Sequence, residues 1–203
     1  MPALVEPSTA PPNEIAREVL AAFDGRHQIA PLSGGNPAFD LTAAYRVTAA
    51  VRRLREDRGE RVVGRKIGFT NTTIRAEYGV AAPIWGYVYD TTLHWLADLR
   101  APFSLAAMAE PRIEPEIAFG ISLLRDGVVA DEGHATNVLG GGPLAALRHL
   151  VGVLAGDPES PPLAPGEIVT TGTLTRALPI APGETWSTAL SGLPLSGIRV
   201  DFG

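Results

Sequence analysis

Arg112-Ile113-Glu114-Pro115-Glu116-Ile117-Ala118-Phe119 alternates with a period of two. Ile113, Pro115, Ile117 and Phe119 fall on odd positions, and Arg112, Glu114 and Glu116 on even ones. The spacing predicts a β-strand with one apolar and one polar face. Ile113, Ile117 and Phe119 then face a core, and Glu114 and Glu116 stand side by side, roughly 7 Å apart at Cα. Two carboxylates that close repel each other unless water or a cation lies between them. Pro115 has no N–H to give to a ladder, which puts the strand at an edge, a bulge or a rim. Such a pair suits a hard divalent cation such as Mg²⁺, which takes oxygen ligands and keeps several waters. The alternative is a solvated acidic face, the commoner setting for charged residues.

Outward from this stretch, composition sets the bounds. The 203 residues carry 45% hydrophobic side chains and a net charge of −5. That suits one large domain, or a small N-terminal part plus one domain. No basic cluster points to nucleic acid. With no cysteine, disulfides, thiolate metal sites and Cys nucleophiles are excluded. No run reaches the roughly 18 apolar residues of a membrane span, and the N-terminus does not resemble a signal peptide. A soluble cytoplasmic protein is the expectation. The cationic side chains are sixteen Arg and one Lys, Lys66. Lysine carries a compact ammonium whose proton can be exchanged when its surroundings shift its pKa, so Lys66 is a candidate catalytic group; chance placement is the alternative. The four histidines, His27, His94, His134 and His149, show no ligand spacing.

Along the chain, residues 1–12 read as a mobile tail and 13–60 as a helical N-terminal part. Residues 61–203 read as a β-rich catalytic-type domain with a helix near 143–154. Asn13 is a candidate cap for a helix over 14–23, and Asp40 or Thr42 for a second running to about Asp57. The arginines of that second helix, Arg46, Arg52, Arg53 and Arg55, form a solvated face in this reading. Arg61–Phe69 reads as a strand in which Gly64 and Gly68 flank Lys66 and allow a backbone or a ligand close. A short helix from Asn71 or Thr72 to Tyr78 follows, then a strand ending near Tyr89. Asp126-Gly127 between apolar runs predicts a hairpin. Pro143 opens a helix with Leu144, Leu147, Leu150, Val151 and Leu154 as its stripe. Ile198–Phe202 alternates again and closes a sheet. Thr170-Thr171-Gly172-Thr173 offers N–H groups and hydroxyls to an anion, or is simply a β-turn.

Three segments form a pattern in order: Gly64-Arg65-Lys66-Ile67-Gly68-Phe69-Thr70, Pro111–Phe119, and Leu163–Thr173. With Ile29-Ala30-Pro31-Leu32, Ala44-Tyr45-Arg46 and Gly79–Gly86, they resemble the 2-keto-4-pentenoate hydratase and 4-oxalocrotonate decarboxylase family of the fumarylacetoacetate hydrolase superfamily. The resemblance implies an α+β fold, a mixed β-roll with a helical N-terminal part. It implies Mg²⁺ or Mn²⁺ chelated by a small 2-oxo acid, with Glu114 and Glu116 as carboxylate ligands and Lys66 as the active-site lysine. Gly172 and Thr173 match a loop that approaches the substrate, and Arg112 joins them as a candidate substrate-binding residue. The implied activity is a lyase, hydratase or decarboxylase, on a 2-oxo or 2-hydroxydienoic acid, acting through a metal-stabilised dienolate. A homo-oligomer is implied as well, with apolar residues near Trp85 and Trp95 as one possible interface. No membrane or nucleic-acid partner is expected.

The chain departs from the family pattern after Phe119. The family's acidic strand is followed by a long segment that carries a third carboxylate ligand; here Phe119-Gly120-Ile121 joins the strand directly to the hairpin, as though that segment were deleted. Asp90, Glu110, Asp131 and Glu132 are acidic without being evident replacements. Two alternatives therefore stand beside the metal lyase. One is a metal-independent enzyme of changed reaction using Lys66 on the same scaffold, and the other a non-catalytic family member acting as a binding or subunit partner.

Overall fold

The computed structural model describes residues 11–34, 36, 38–72, 75, 79–116 and 120–203. The chain divides into two compact units, the first ending at Val62 and the second running from Val63 to Gly203. Most of the expected tail, residues 1–10, lies outside the described residues.

The first unit is a helix pair. Helix α1 spans Pro12–Gly25 and α2 spans Leu41–Asp57. Helix α1 starts earlier than the Asn13 cap suggests, because Pro12 takes the first helical position and Pro11 O accepts from Glu14 N and Ile15 N. A proline there gives up no helical hydrogen bond and already has a helical φ. Helix α2 begins where Asp40 accepts a hydrogen bond from Ala43 N at 2.8 Å, a side-chain cap. The core is Ile15, Ala16, Val47 and Ala50, with Val19, Phe39 and Leu54 packed against it. One expectation fails here. Arg55 is buried rather than solvated; it pairs with Glu60 at 2.6 Å and lies over the Phe23 ring. Its long stem covers apolar surface while the charge is neutralised.

The second unit holds three sheets. Strands β1 (Val62–Gly68), β2 (Ile84–Tyr89) and β7 (Ile168–Thr170) form one in the order β2-β1-β7, with β1 and β7 parallel. Strands β3 (Arg100–Phe103), β5 (Gly120–Arg125), β6 (Val128–His134), β9 (Thr185–Ser191) and β10 (Arg199–Phe202) form a second in the order β3-β10-β9-β5-β6. Strands β4 (Arg112–Ile113) and β8 (Leu178–Pro179) pair as a two-stranded ribbon. Asp126 and Gly127 both take positive φ, 51° and 81°, as the two-residue β5–β6 hairpin requires. Parallel and antiparallel pairs coexist in the second sheet: β10 runs parallel to β3 and antiparallel to β9.

Two expectations are corrected. The strand over 112–119 is only two residues long among the described residues, and the segment from Glu114 to Glu116 is irregular. Proline at 115 cannot donate to a ladder, and Pro115 O instead accepts from Leu174 N at 3.3 Å. Residues 117–119 lie outside the described residues, as does most of the short helix expected to end at Tyr78. The third helix, α3 (Pro143–Ala155), buries Ala146, Leu150 and Leu154. Leu144 and Val151 face outward, so the buried stripe is rotated from the leucine pattern toward the small Ala146. Leu150 and Leu154 each contribute about 1.5–3 kcal/mol by burial.

Candidate functional site

Lys66 lies in β1, in register with Thr170 of β7. A glycine permits that pairing: a Cβ on Gly64 would collide with the carbonyl oxygen of Ile168. The flanking glycine thus admits another backbone rather than a ligand. Just past β1 the chain turns sharply at Phe69, whose φ is +54°. That turn is fixed from both sides: Phe69 O accepts from Arg75 Nε at 2.8 Å, and Thr70 O accepts from Leu139 N at 2.9 Å.

Lys66, Glu114 and Glu116 come together. The Lys66 ammonium is 3.0 Å from Glu114 Oε2 and donates a short hydrogen bond to Glu116 Oε1. The second oxygen of Glu116 accepts from Gly172 N at 3.0 Å. The Glu116 side chain is 8% exposed, against 33% for Glu114 and 45% for Lys66. The Glu pair is therefore not one evenly wetted face; Glu116 is the inner member. Burial pushes the Lys66 pKa down, but the charges of Glu116 and Glu114, and hydrogen bonds to both, outweigh it and hold the pKa above the ordinary 10.5.

Gly172 has φ +104°, and a Cβ there would run into Thr70 Oγ1. Only glycine fits a backbone of that conformation pressed against that side chain. Its N–H meets an anion, as the Thr-Gly-Thr stretch suggests, but the anion is the chain's own Glu116. Thr173 is buried. Its Oγ1 lies 3.3 Å from Pro115 O and 3.1 Å from Thr175 O and accepts from Thr175 N. That hydroxyl is engaged in holding the acidic segment. Arg112 is exposed on β4 opposite Pro179, and among the described residues no ion pair joins it to Glu114 or Glu116.

Two residues that the sequence did not single out support the cluster from behind. Arg65 is 1% exposed. Its Nη1 meets Glu167 Oε2 at 2.9 Å, and its guanidinium lies 4.3 Å from the centre of the Tyr87 ring. The available signal was the Arg65-Lys66 dipeptide itself. In a strand, adjacent side chains leave opposite faces, so one of the two cations had to turn inward and find a carboxylate.

A cavity of about 620 Å³ is lined by Ala135, Gly141, Leu144, Val169 and Leu193, among others. Neither Lys66 nor the two glutamates line it. Val169 alternates with Thr170, the residue in register with Lys66, so it leaves β7 on the face away from the lysine.

Glu114 and Glu116 offer oxygen donors that converge on one cation, the ammonium of Lys66. That is the donor chemistry of Mg²⁺ or Mn²⁺, so the residues fit such an ion. Among the described residues no group of three or more His, Cys, Asp or Glu could hold a metal. Waters or substrate oxygens would have to complete the shell.

No family model matches the chain. It is 35% identical over 104 residues to a 2-keto-4-pentenoate hydratase of Paraburkholderia phymatum, which is 51% of this chain and 38% of the relative. It is 34% identical over 103 residues to a 2-hydroxyhexa-2,4-dienoate hydratase of Comamonas testosteroni, 51% of this chain and 39% of the relative. A 4-oxalocrotonate decarboxylase of a Pseudomonas species is 32% identical over 93 residues, 46% of this chain and 34% of the relative. The matches thus span well under half the length of these curated relatives. In structure, a 4-oxalocrotonate decarboxylase of Pseudomonas putida, complexed with magnesium and adipate, superposes with a TM-score of 0.81 at 20% identity, covering 95% of this chain and 97% of that one. The α+β fold expected from the resemblance is thereby shown. Over about half its sequence the chain is similar to 2-keto-4-pentenoate hydratases and 4-oxalocrotonate decarboxylases, and over nearly all its fold to a 4-oxalocrotonate decarboxylase.

Proposed function

We propose that the chain is a lyase, a hydratase or decarboxylase, acting on a small 2-oxo or 2-hydroxydienoic acid with the help of Mg²⁺ or Mn²⁺. The observation that carries this is the convergence of Lys66, Glu114 and Glu116 on one point. Hydratases and decarboxylases among the relatives support the substrate class. Glu114 and Glu116 would hold the cation, which supplies Lewis-acid stabilisation of charge on a substrate carboxylate and 2-oxygen. Gly172 keeps Glu116 aimed by its N–H, and Thr173 keeps the acidic segment in place through Pro115. In this proposal both residues serve the substrate through that segment. Arg112 is the exposed cation nearest the pair in sequence and a candidate partner for a substrate carboxylate.

Lys66 acts as an acid in this scheme. The charges of Glu116 and Glu114 hold its pKa above the ordinary lysine value against the effect of burial, which favours the ammonium over the free amine. It can donate a proton to a substrate carbon or oxygen and steady developing negative charge. It is a poor imine-forming nucleophile in that state, which disfavours the metal-independent reading. The test is turnover of 2-hydroxypenta-2,4-dienoate or 4-oxalocrotonate with Mg²⁺ or Mn²⁺, followed by ultraviolet absorbance. Consumption of either, lost in Glu116→Gln, is expected. If neither acid is consumed and neither cation raises the melting temperature, the proposal fails.

A further inference from the structure

We infer that Arg65 is a positioning residue for Lys66, and that the buried Arg65–Glu167 pair sets the β1–β7 register on which the site depends. The inference rests on the lyase reading for its catalytic consequence.

Strand β7 lies at the edge of its sheet and pairs with β1 over only three residues, Gly64↔Ile168, Arg65↔Val169 and Lys66↔Thr170. A parallel ladder that short fixes register weakly by itself. Glu167 immediately precedes it, and the salt bridge to Arg65 Nη1 clamps its start. The same Nη1 lies 3.3 Å from Gly64 O, and the guanidinium is held against Tyr87. From that clamp, β7 runs to Gly172, whose N–H holds Glu116, which in turn holds Lys66 back on β1. Arg65, Glu167, Gly172, Glu116 and Lys66 therefore form a closed circuit across two strands. A slip of one residue would turn Thr170 to the other face and carry the Gly172 N–H away from Glu116. The Arg65 guanidinium meets Glu167, Gly64 O and the Tyr87 ring on the face away from the Lys66 side chain; it acts by fixing the strand from which Lys66 departs.

The test uses the full chain and the fact that Lys66 is its only lysine. Lysine labelled with carbon-13 at Cε gives a single side-chain signal. Its two Hε protons are inequivalent while the side chain is held and merge when it rotates freely. The double substitution Arg65→Met with Glu167→Leu removes both charges, leaving no buried ion unpaired, and such swaps are often neutral for stability. The expected result is merged Hε signals and a kcat at least about tenfold lower, with KM within about twofold and the melting temperature retained. Arg65→Lys together with Lys66→Arg would confuse the label, so the conservative variant is Glu167→Asp, expected to restore part of both readouts. Inequivalent Hε signals in the folded double variant overturn the inference, as does merging without loss of turnover. If the double variant does not fold, Glu167→Gln, which removes the ion pair to Arg65 but keeps the side chain's length, decides: unchanged Hε signals and unchanged kcat in that variant overturn the inference. If the wild type turns over neither acid, the lyase reading fails, and the Hε signals still decide whether Arg65 positions Lys66.

Discussion

Arg65 and Lys66 leave β1 on opposite faces, and each meets carboxylates, but their charge balances differ. Arg65 is buried and faces one partner, Glu167. One positive and one negative charge cancel, as a buried pair must. Lys66 is half exposed and faces two partners, Glu114 and Glu116. One positive and two negative charges leave a residue of −1 at a place water can reach. A balanced, dry pair is a structural tie. An unbalanced, wet cluster carries like-charge repulsion between its glutamates, and under the proposed function it is where a second cation would sit. The difference separates a clamp from a site more sharply than residue type does, since both are cations beside glutamates.

The largest expected effect is on the wet side. Lys66→Met should lower kcat by about 10²–10⁴ while the far-ultraviolet circular dichroism stays as in wild type. An active Lys66→Met enzyme would erase the distinction between the two faces. Next is the dry side. Arg65→Met alone strands Glu167 as an unpaired, mostly buried charge and should cost about 3–5 kcal/mol in urea unfolding. A loss below about 1 kcal/mol would mean that Glu167 reaches water without moving the strands, and the clamp would lose its meaning.

The contrast was partly legible beforehand. A single lysine and an E-x-E pair pointed to one cluster because the residue types are rare or repelling, and rarity survives any error in local structure. The strand carrying the pair was less legible. Period-two alternation over 112–119 does not reveal that Pro115 O is taken by Leu174, far along the chain, and a tertiary bond of that kind accompanies the end of the ladder at Ile113. Helix α3 shows a related limit: the leucine pattern is helical, but which side is buried is decided by the neighbour it packs on, and that side carries Ala146. Arg65 was missed because composition makes arginine look like surface. Arg55 was misread for the same reason, and it too ends against a glutamate and an aromatic ring.

Smaller effects sharpen the wet side. Glu114 is the outer glutamate and Glu116 the inner one, with Glu116 tied to Gly172. Glu114→Gln should leave the fold intact and weaken Mn²⁺ binding by about tenfold or more, about 1.4 kcal/mol, read as a smaller rise in melting temperature on adding Mn²⁺. Equal Mn²⁺ responses in wild type and Glu114→Gln would remove Glu114 from the cation site and leave the excess negative charge without a role.

The smallest effect concerns what anchors the loop after Gly172. Asp131 accepts from Arg176 N at 3.0 Å and Arg176 Nε at 3.2 Å, just beyond Thr173 and Thr175. Burial pushes the Asp131 carboxyl up, but hydrogen bonds from Arg176 and the Glu132 N–H outweigh it, so its pKa lies below the ordinary 3.8. A carboxyl lowered by folding stabilises the fold above its unfolded value, and that stability is lost as pH falls through the folded value. Asp131→Asn should therefore cost at most about 1 kcal/mol near pH 6, because the arginine is largely exposed. The gap to wild type should close below pH 3.8, where wild-type Asp131 is itself protonated on unfolding and then in the fold. Lys66 behaves in the opposite sense: its raised pKa makes its pairing complete throughout this range, to be lost only above about pH 10.5. A stability gap between wild type and Asp131→Asn that stayed open well below pH 3.8 would show that the loop after Gly172 is held by something other than the Asp131 charge.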